Sequence, residues 1–491
     1  MKDSVVIEKT DTYDIDSFHP KGHIMYLVGT VEILDLGTND KKVEKTTEGA
    51  MQYAFEVAAL KSHFRMHDGM LMVFDGNRYV PTPDYQLVID IKEVMTQIGI
   101  ATFYIASCAK GIASHIIDRV SSRRIYVPKR NLVSFKNGVL DLDSMVLHKH
   151  SPRFHTHIYL DYDYDPRAKS DNFRKFLTET LPNEKAQMVI QEFIGCMFID
   201  RKKIKMEKAL YMIGVGRNGK GVLTSLIEAI AGAENRTSFQ FYDLIKGKNK
   251  DYNIAMADGK LVNICADMKR DDVSGGEFKT YVSGEPMDAR HIYGRPFIAT
   301  NPPILIASMN DLPTTSDYSL GHSERTLIVR FNNVVKGAQI DPELTSKLLR
   351  EISGVFNWVA EGRKRFLEAG GHFTYCEDIE KEKIEAKHNS NSVMRFLRDM
   401  YIEPAQKEYN KKELVYIDDL FIQYREYCTS SKIDKAFTKQ RMGILLVNDG
   451  YVRVRRSKGA HYWIYRRYDF NYPEFQDDID EDELKMDELP F

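Results

Sequence analysis

Residues 209–231 read ALYMIGVGRNGKGVLTSLIEAIA: five apolar residues, a glycine-rich turn, then a helical run. This order dictates a strand over Ala209–Ile213, a turn over Gly214–Gly219 and a helix over Lys220–Ala231. It opens a βα core that runs from about 206 to 332. A strand that ends in such a turn and opens a helix gathers backbone N–H groups around phosphates, and the helix amino-terminus adds partial positive charge. Gly214 and Gly219 permit the turn, and Val215, Gly216, Arg217, Asn218, Gly221 and Val222 complete the cradle. Lys220 reaches the β- and γ-phosphates of ATP. The pattern G-x-x-x-x-G-K-[ST] calls for a hydroxyl after the lysine to hold Mg²⁺, but Gly221 stands there. The bland alternative is a glycine turn in front of a buried helix.

The downstream sequence favours the nucleotide. KLVNICADMKRDD is a buried-strand pattern ending in Asp267, where an acid holds Mg²⁺ or polarises the attacking water. PILIASMNDLP ends at Asn310, an amide able to orient water at the γ-phosphate. HSERTLIVRF presents Arg325 ahead of another strand. An arginine delivered to a neighbouring subunit's nucleotide is a finger worth roughly 10³–10⁵ in rate.

With FKNGVLDL, GVGRNGKG, FKTYVSGEPMDAR, ILIASMNDLP and SGVFNWVAEG in place, residues from about 130 to 430 resemble superfamily 3 helicases of the phage and plasmid primase-helicase type, which are related to poxvirus replicative helicase-primases. The resemblance implies an α/β chain with an AAA+-like core that forms homo-hexameric rings. It implies ATP between subunits and single-stranded DNA moved 3′ to 5′ through the ring. Asp267 falls on the acid of the second nucleotide motif, Asn310 on sensor 1, Arg325 on the finger, and Lys279 on a lysine near the subunit interface. MDARHIYGRPF falls on a hairpin that points into the channel, which makes Arg290, His291 and Arg295 backbone contacts for DNA. Two departures stand out: Gly221 for Ser/Thr, and one acid, Asp267, where two are common. Water replaces the missing hydroxyl, since Mg²⁺ readily keeps several waters.

The expected division is a 1–124 α+β region of unread role, a 125–205 hairpin and helical collar, the 206–335 ATPase core, a 336–390 helical segment and linker, a 391–470 winged-helix domain, and a 471–491 acidic tail. Only about 125 residues precede the resemblance, and they carry no cluster of metal-binding carboxylates, so no primase activity is expected. The histidines 148, 150, 155 and 157 are expected in a structural loop, because no cysteine pattern accompanies them. The five cysteines are odd in number and widely spaced, which fits a reducing bacterial host cytoplasm, and no run approaches a membrane span.

The net charge of −2 conceals an asymmetry: residues 477–488 hold eight acids and one base. Residues 392–467 hold 16 Lys/Arg against 9 Asp/Glu. Arg455, Arg456 and Lys458, interleaved with Tyr462, Trp463 and Tyr465, point that domain toward single-stranded and forked DNA. Leu489, Pro490 and Phe491 close an acidic stretch similar to the tip of bacterial single-stranded DNA-binding proteins, which suggests docking to host proteins that read such tips. Deleting Phe491 alone keeps the acids and separates docking from mere shielding of basic surface. Three functions compete: a replicative helicase of a phage, plasmid or mobile element; a DNA-binding initiator whose ATP site only drives assembly, which Gly221 favours; and a defence-type nucleoside triphosphatase, which no motif supports.

Overall fold

The computed structural model describes residues 6–7, 31–32, 64–67, 70–97, 105–121, 129–268, 276–292, 296–310, 324–333, 341–390, 392–400, 402–406, 412–431, 433 and 436–466. These fall into two compact units that divide at Cys376 and Glu377, with residues 324–326 belonging to the second.

In the first unit, β1 (Val6–Ile7) and β2 (Val31–Glu32) pair antiparallel. Then β3 (Phe64–His67), β4 (Met70–Phe74) and β5 (Tyr79–Pro81) form an antiparallel meander. Asp75 closes its β4–β5 turn by accepting from Asn77 N (2.8 Å) and Arg78 N (2.9 Å). Helices α1 (Asp84–Gln97) and α2 (Ile105–Ser121) follow. Next come β6 (Leu132–Phe135), β7 (Gly138–Asp141), β8 (Val146–His148) and β9 (Tyr159–Leu160), ordered β8-β7-β6-β9. Lys136 and Asn137 make the β6–β7 hairpin turn, one residue earlier than the Asn-Gly pair, and Gly138 opens β7 opposite Phe135. The four histidines here turn to separate partners. His148 lies against Phe154, His150 Nε2 sits 2.8 Å from Phe135 O, His155 meets the Tyr79 ring, and His157 Nε2 lies 3.4 Å from Gly259 O.

Helices α3 (Asp171–Thr180) and α4 (Glu184–Gly195) are separated at Pro182. Asn183 caps α4 by accepting from Lys185 N and Ala186 N, which satisfies two otherwise orphan donors. The core then alternates: β10 (Ala209–Ile213), α5 (Lys220–Ala231), β11 (Arg236–Thr237), α6 (Phe241–Ile245), α7 (Lys250–Ala257), β12 (Val262–Cys265) and α8 (Gly276–Ser283). A two-stranded antiparallel element follows, β13 (Met287–Arg290) with β14 (Pro296–Ala299), and then β15 (Ile304–Met309) and β16 (Thr326–Arg330). The main sheet runs β11-β12-β15-β10-β16, and the three pairs β11–β12, β12–β15 and β15–β10 are parallel. Its central strands are largely apolar because both faces are covered; β10, β12 and β15 are buried throughout. The one amide inside β12, Asn263, has both its polar atoms paired: Oδ1 accepts from Thr237 Oγ1 and Phe239 N, and Nδ2 donates to Phe239 O, at 2.9 Å each.

Helices α9 (Leu344–Leu349) and α10 (Ile352–Glu368) complete this unit. Gly195 on α4 and Gly362 on α10 bring the two backbones together: added Cβ atoms would lie 2.5 Å from Arg363 N and 2.4 Å from Gln191 O. Phe356 on α10 meets Phe135 of β6 edge-on at 4.8 Å. Two segments more than two hundred residues apart, FKNGVLDL and SGVFNWVAEG, therefore share one aromatic core.

The second unit contains α11 (Glu377–Ser390), α12 (Ser392–Asp399), strands β17 (Ile402–Pro404) and β18 (Lys412–Tyr416), helices α13 (Ile417–Ser430) and α14 (Lys439–Asn448), and the hairpin β19 (Val452–Arg456) with β20 (Gly459–Arg466). β20 is the central strand and pairs antiparallel with β17, β18 and β19. Phe396, Leu420, Tyr424, Met442, Leu446 and Ile464 form its core. Among the described residues no helix is long and apolar enough to cross a membrane.

Candidate functional site

The glycine-rich loop is fixed on three sides. Gly214 leaves β10 at φ +153, and a Cβ there would lie 2.3 Å from both Asn218 Nδ2 and Phe331 O, so only glycine fits. Gly219, at φ +86, faces α3: a Cβ would lie 2.5 Å from Thr180 Cγ2 and 3.1 Å from Phe176 Cε2. Between them Arg217 adopts φ +63, a left-handed conformation that costs a side-chain-bearing residue roughly 1–2 kcal/mol. Val215, Gly216 and Arg217 are exposed, so the crest of the loop is open to solvent.

Asn218 is the strut. It is 2% exposed; its Nδ2 donates to Phe331 O at 2.9 Å, just beyond β16, and its Oδ1 accepts from Lys220 Nζ at 3.0 Å. Lys220 Nζ also donates to Gly214 O and, at 3.5 Å, to Val215 O. Burial lowers the lysine's pKa. Its ammonium is therefore folded onto neutral oxygens of its own loop, an arrangement that an anionic phosphate improves.

The sheet register brings two further residues to the loop's edge. Gly214 N donates to Met309 O (3.3 Å), and Met268 N donates to Ser308 O (3.1 Å). Ile213 is level with Met309, and Cys265 with Ala307. Gly214, Asp267 and Asn310 consequently leave the same carboxyl edge, with β15 between the other two strands. Asp267 and Asn310 are both exposed. Gln240 holds the Asp267 segment, its Nε2 donating to Asp267 O at 3.2 Å while its Oε1 accepts from the Cys265 thiol at 3.3 Å. Burial pushes that thiol up to about 11, so Cys265 stays protonated as a donor.

Gly221 and Val222 open the first turn of α5. Gly221 supplies no oxygen, yet an added Cβ meets nothing within 4 Å. Thr224 Oγ1, one turn on, is enclosed and has no partner. The donor set open to a nucleotide-bound Mg²⁺ is the Asp267 carboxylate plus water, which fits an ion that keeps several waters. Gly221→Ser is accordingly expected to keep ATP turnover within a few-fold of wild type. It should raise stability by about 0.5 kcal/mol, because it restricts the unfolded chain. Thermal melts and steady-state hydrolysis check this, and a collapse of either shows that the site tolerates no side chain there.

Of the other expected residues, Lys279 lies half-buried on α8. Arg290 ends β13, and His291 follows it, exposed, with its ring stacked on Phe297 at 5.0 Å. Arg325 immediately precedes β16, at the amino end of a strand whose carboxyl end delivers Phe331 to the loop. Arg455 and Arg456 end β19, and Lys458 sits in the β19–β20 turn. Arg295, Leu489, Pro490 and Phe491 lie outside the described residues.

A D5 N-terminal-like model matches residues 102–182, and a family of unknown function, DUF5906, matches residues 212–325, which contain the loop, Asp267 and Asn310. The protein named "Putative helicase 121R" of Invertebrate iridescent virus 3 is 19% identical over 383 residues, covering 71% of this chain and 40% of that protein. The matches fit the phage and viral primase-helicase type. The chain spans less than half the length of that curated relative. Among solved structures, apo forms of the NrS-1 C-terminal region are similar: one at 14% identity and a TM-score of 0.42, covering 84% of this chain and 98% of that one, and a second at 13% and 0.41.

Sequence reasoning missed the loop's supports. Phe331, Thr180, Phe176 and Gln240 carry no motif, and their contacts are long-range. For Gln240 the available signal was a polar residue between β11 and α6 in an otherwise apolar core.

Proposed function

We propose that this chain is an ATP-driven DNA helicase of the replication apparatus of a phage, virus or mobile element. The observation that carries this reading is the enclosed Lys220 ammonium inside a glycine cradle, at the sheet edge that also presents Asp267 and Asn310. The exposed stretch Val215–Arg217 receives the phosphates, and Lys220 exchanges its carbonyl partners for β- and γ-phosphate oxygens. Asn310 orients the attacking water. Mg²⁺, when bound, neutralises phosphate charge and would be held by Asp267.

In the same reading the chain forms a ring, hexameric by resemblance, and moves single-stranded DNA 3′ to 5′. Arg325 completes a neighbour's site and Lys279 lies near that interface. Residues 391–470 act as a winged helix that meets DNA through Arg455, Arg456 and Lys458. The element order α12, β18, α13, α14, β19, β20 supports that assignment. The deciding experiment is strand displacement on forked DNA beside a Lys220→Ala control; unwinding that persists without Lys220 rejects the reading. An initiator whose nucleotide site drives assembly alone is the second reading. It is favoured by the missing hydroxyl at Gly221, and it predicts DNA binding and ATP-dependent assembly with no strand displacement.

The β13–β14 hairpin supplies a further test. Arg290→Ala with His291→Ala should retain ATP hydrolysis while unwinding falls, because exposed charge and a stackable ring at a hairpin end contact DNA rather than nucleotide. A double variant that unwinds at the normal rate removes DNA contact from this hairpin.

A further inference from the structure

A cavity of about 740 Å³ lies within the first unit, at the amino-terminal edge of the parallel sheet. Its floor comes from Asp258–Lys260 ahead of β12, Asn301 ahead of β15 and Arg236 at the start of β11. The glycine-rich loop leaves the opposite, carboxyl-terminal edge, so the two sites are separated by the length of the strands.

Four cations line the cavity, Arg78, Arg130, Arg236 and Lys260, against two carboxylates, Glu234 and Asp258. Glu234 is engaged by Arg78, Asp258 Oδ1 accepts from Asn301 N at 2.8 Å, and Arg236 bonds Glu228 at 3.4 Å. The other two cations direct their hydrogen bonds to neutral oxygens. Arg130, 8% exposed, donates to the carbonyls of Met197 (3.4 Å), Lys260 (3.0 Å) and Asn301 (3.2 Å). Lys260 Nζ donates to the Glu234 carbonyl at 2.5 Å. Burial brings the guanidinium of Arg130 down to about 10 and lowers Lys260, and the charges of Asp258 and Asp200 near Arg130 and of Glu234 near Lys260 only partly offset this. The ring Nδ1 of His157 is enclosed without a hydrogen-bond partner, and Arg78 Nε, also without a hydrogen bond, lies 3.8 Å from Asp75 Oδ2. Enclosed charge and orphan polar atoms are costly unless something compensates them. The volume lies in the range of small-ligand sites.

The rim indicates what compensates them. His291 and Phe297, stacked with only 18° between their planes, both line the cavity. On the same hairpin Ile292 is 70% exposed and Ile298 52% exposed. A flat ring pair and apolar surface beside a basic cavity is what binds bases and backbone of one unpaired strand.

We propose that this cavity is a second phosphate site, which takes backbone phosphates of single-stranded DNA whose bases rest on the β13–β14 hairpin. The proposal rests on the reading of the chain as a DNA-translocating enzyme, and it assigns Lys260 and Arg130 to the strand rather than to the nucleotide.

Arg130 is a poor test residue, since its loss strips a donor from three carbonyls that it ties together. Lys260 is half-buried with one carbonyl partner, so Lys260→Glu is the test and Lys260→Arg its rescue. The measurement is anisotropy of a labelled oligothymidylate of about 15 nucleotides across a salt series. It is run beside binding of a fluorescent ATP analogue to the glycine loop, with thermal melts to confirm folding; Lys260→Gln is read if the glutamate variant unfolds. The expected result is about tenfold weaker oligonucleotide binding, a salt slope shallower by about one, and recovery with Lys260→Arg. Binding of the ATP analogue should not change. Unchanged oligonucleotide binding overturns the proposal, as does absence of binding by the unmutated chain. Loss of a second nucleotide or pyrophosphate site with DNA binding intact also overturns it, assigning the cavity to a free phosphate ligand. Hydrolysis that requires Lys220 while the Lys260 variants bind DNA normally refutes the cavity alone and leaves the ATPase reading standing.

Discussion

Lys220→Ala is expected to abolish ATP hydrolysis while leaving the fold intact. Removing one preorganised donor from the developing charge of a transition state costs on the order of 10²–10³ in turnover. Here the donor is a full cation held in place by Asn218 Oδ1 and Gly214 O. The loop itself does not need it, because Asn218 remains fastened to Phe331 O at 2.9 Å and Gly219 remains against α3. Melting temperature should therefore move little. Asp267→Asn should lose turnover too but keep nucleotide binding, since Asp267 is exposed at the sheet edge and supports no packing. Equal turnover by wild type and Lys220→Ala, with contaminating ATPases excluded, removes this loop from the chemistry.

Arg325→Ala is expected to lose hydrolysis by roughly 10³–10⁵, the range of an arginine supplied in trans. Mixing decides between a trans role and a local one. On the proposed ring reading, neither Lys220→Ala nor Arg325→Ala chains should hydrolyse alone. A mixed ring would contain interfaces where an intact loop meets an intact arginine, so some activity should return. Its yield should peak at an intermediate ratio of the two variants. No recovery at any ratio, with co-assembly demonstrated by cross-linking or mass, assigns Arg325 to a role within its own subunit.

The parts of the site that the sequence revealed are those fixed by short-range rules. Strand, glycine turn and helix are consecutive residues, and the apolar runs ending at Asp267 and Asn310 are buried strands whose ends could be read directly. That these ends meet at one edge depends on strand order, which places β15 between β10 and β12 and which no local pattern specifies. The same limit hid the supports. Asn218 looked like one more loop residue, and its role as a strut requires a carbonyl 113 positions away. The cavity at the opposite edge was invisible for a related reason: Arg78, Arg130 and Lys260 are ordinary basic residues until three separate chain segments bring them together.

The chain has two tryptophans, and each compact unit holds one, Trp358 on α10 and Trp463 on β20. Trp358 is buried, with Phe173 of α3 edge-on at 4.9 Å. Phe176 and Thr180 of that helix are the side chains that confine Gly219. A single helix thus joins the glycine-rich turn to a native fluorophore. Trp463 reports on the other unit, with the Lys412 ammonium 5.2 Å from its ring centroid. The molecule carries its own optical label for each half, and the label in the first unit is one helix away from the glycine-rich loop.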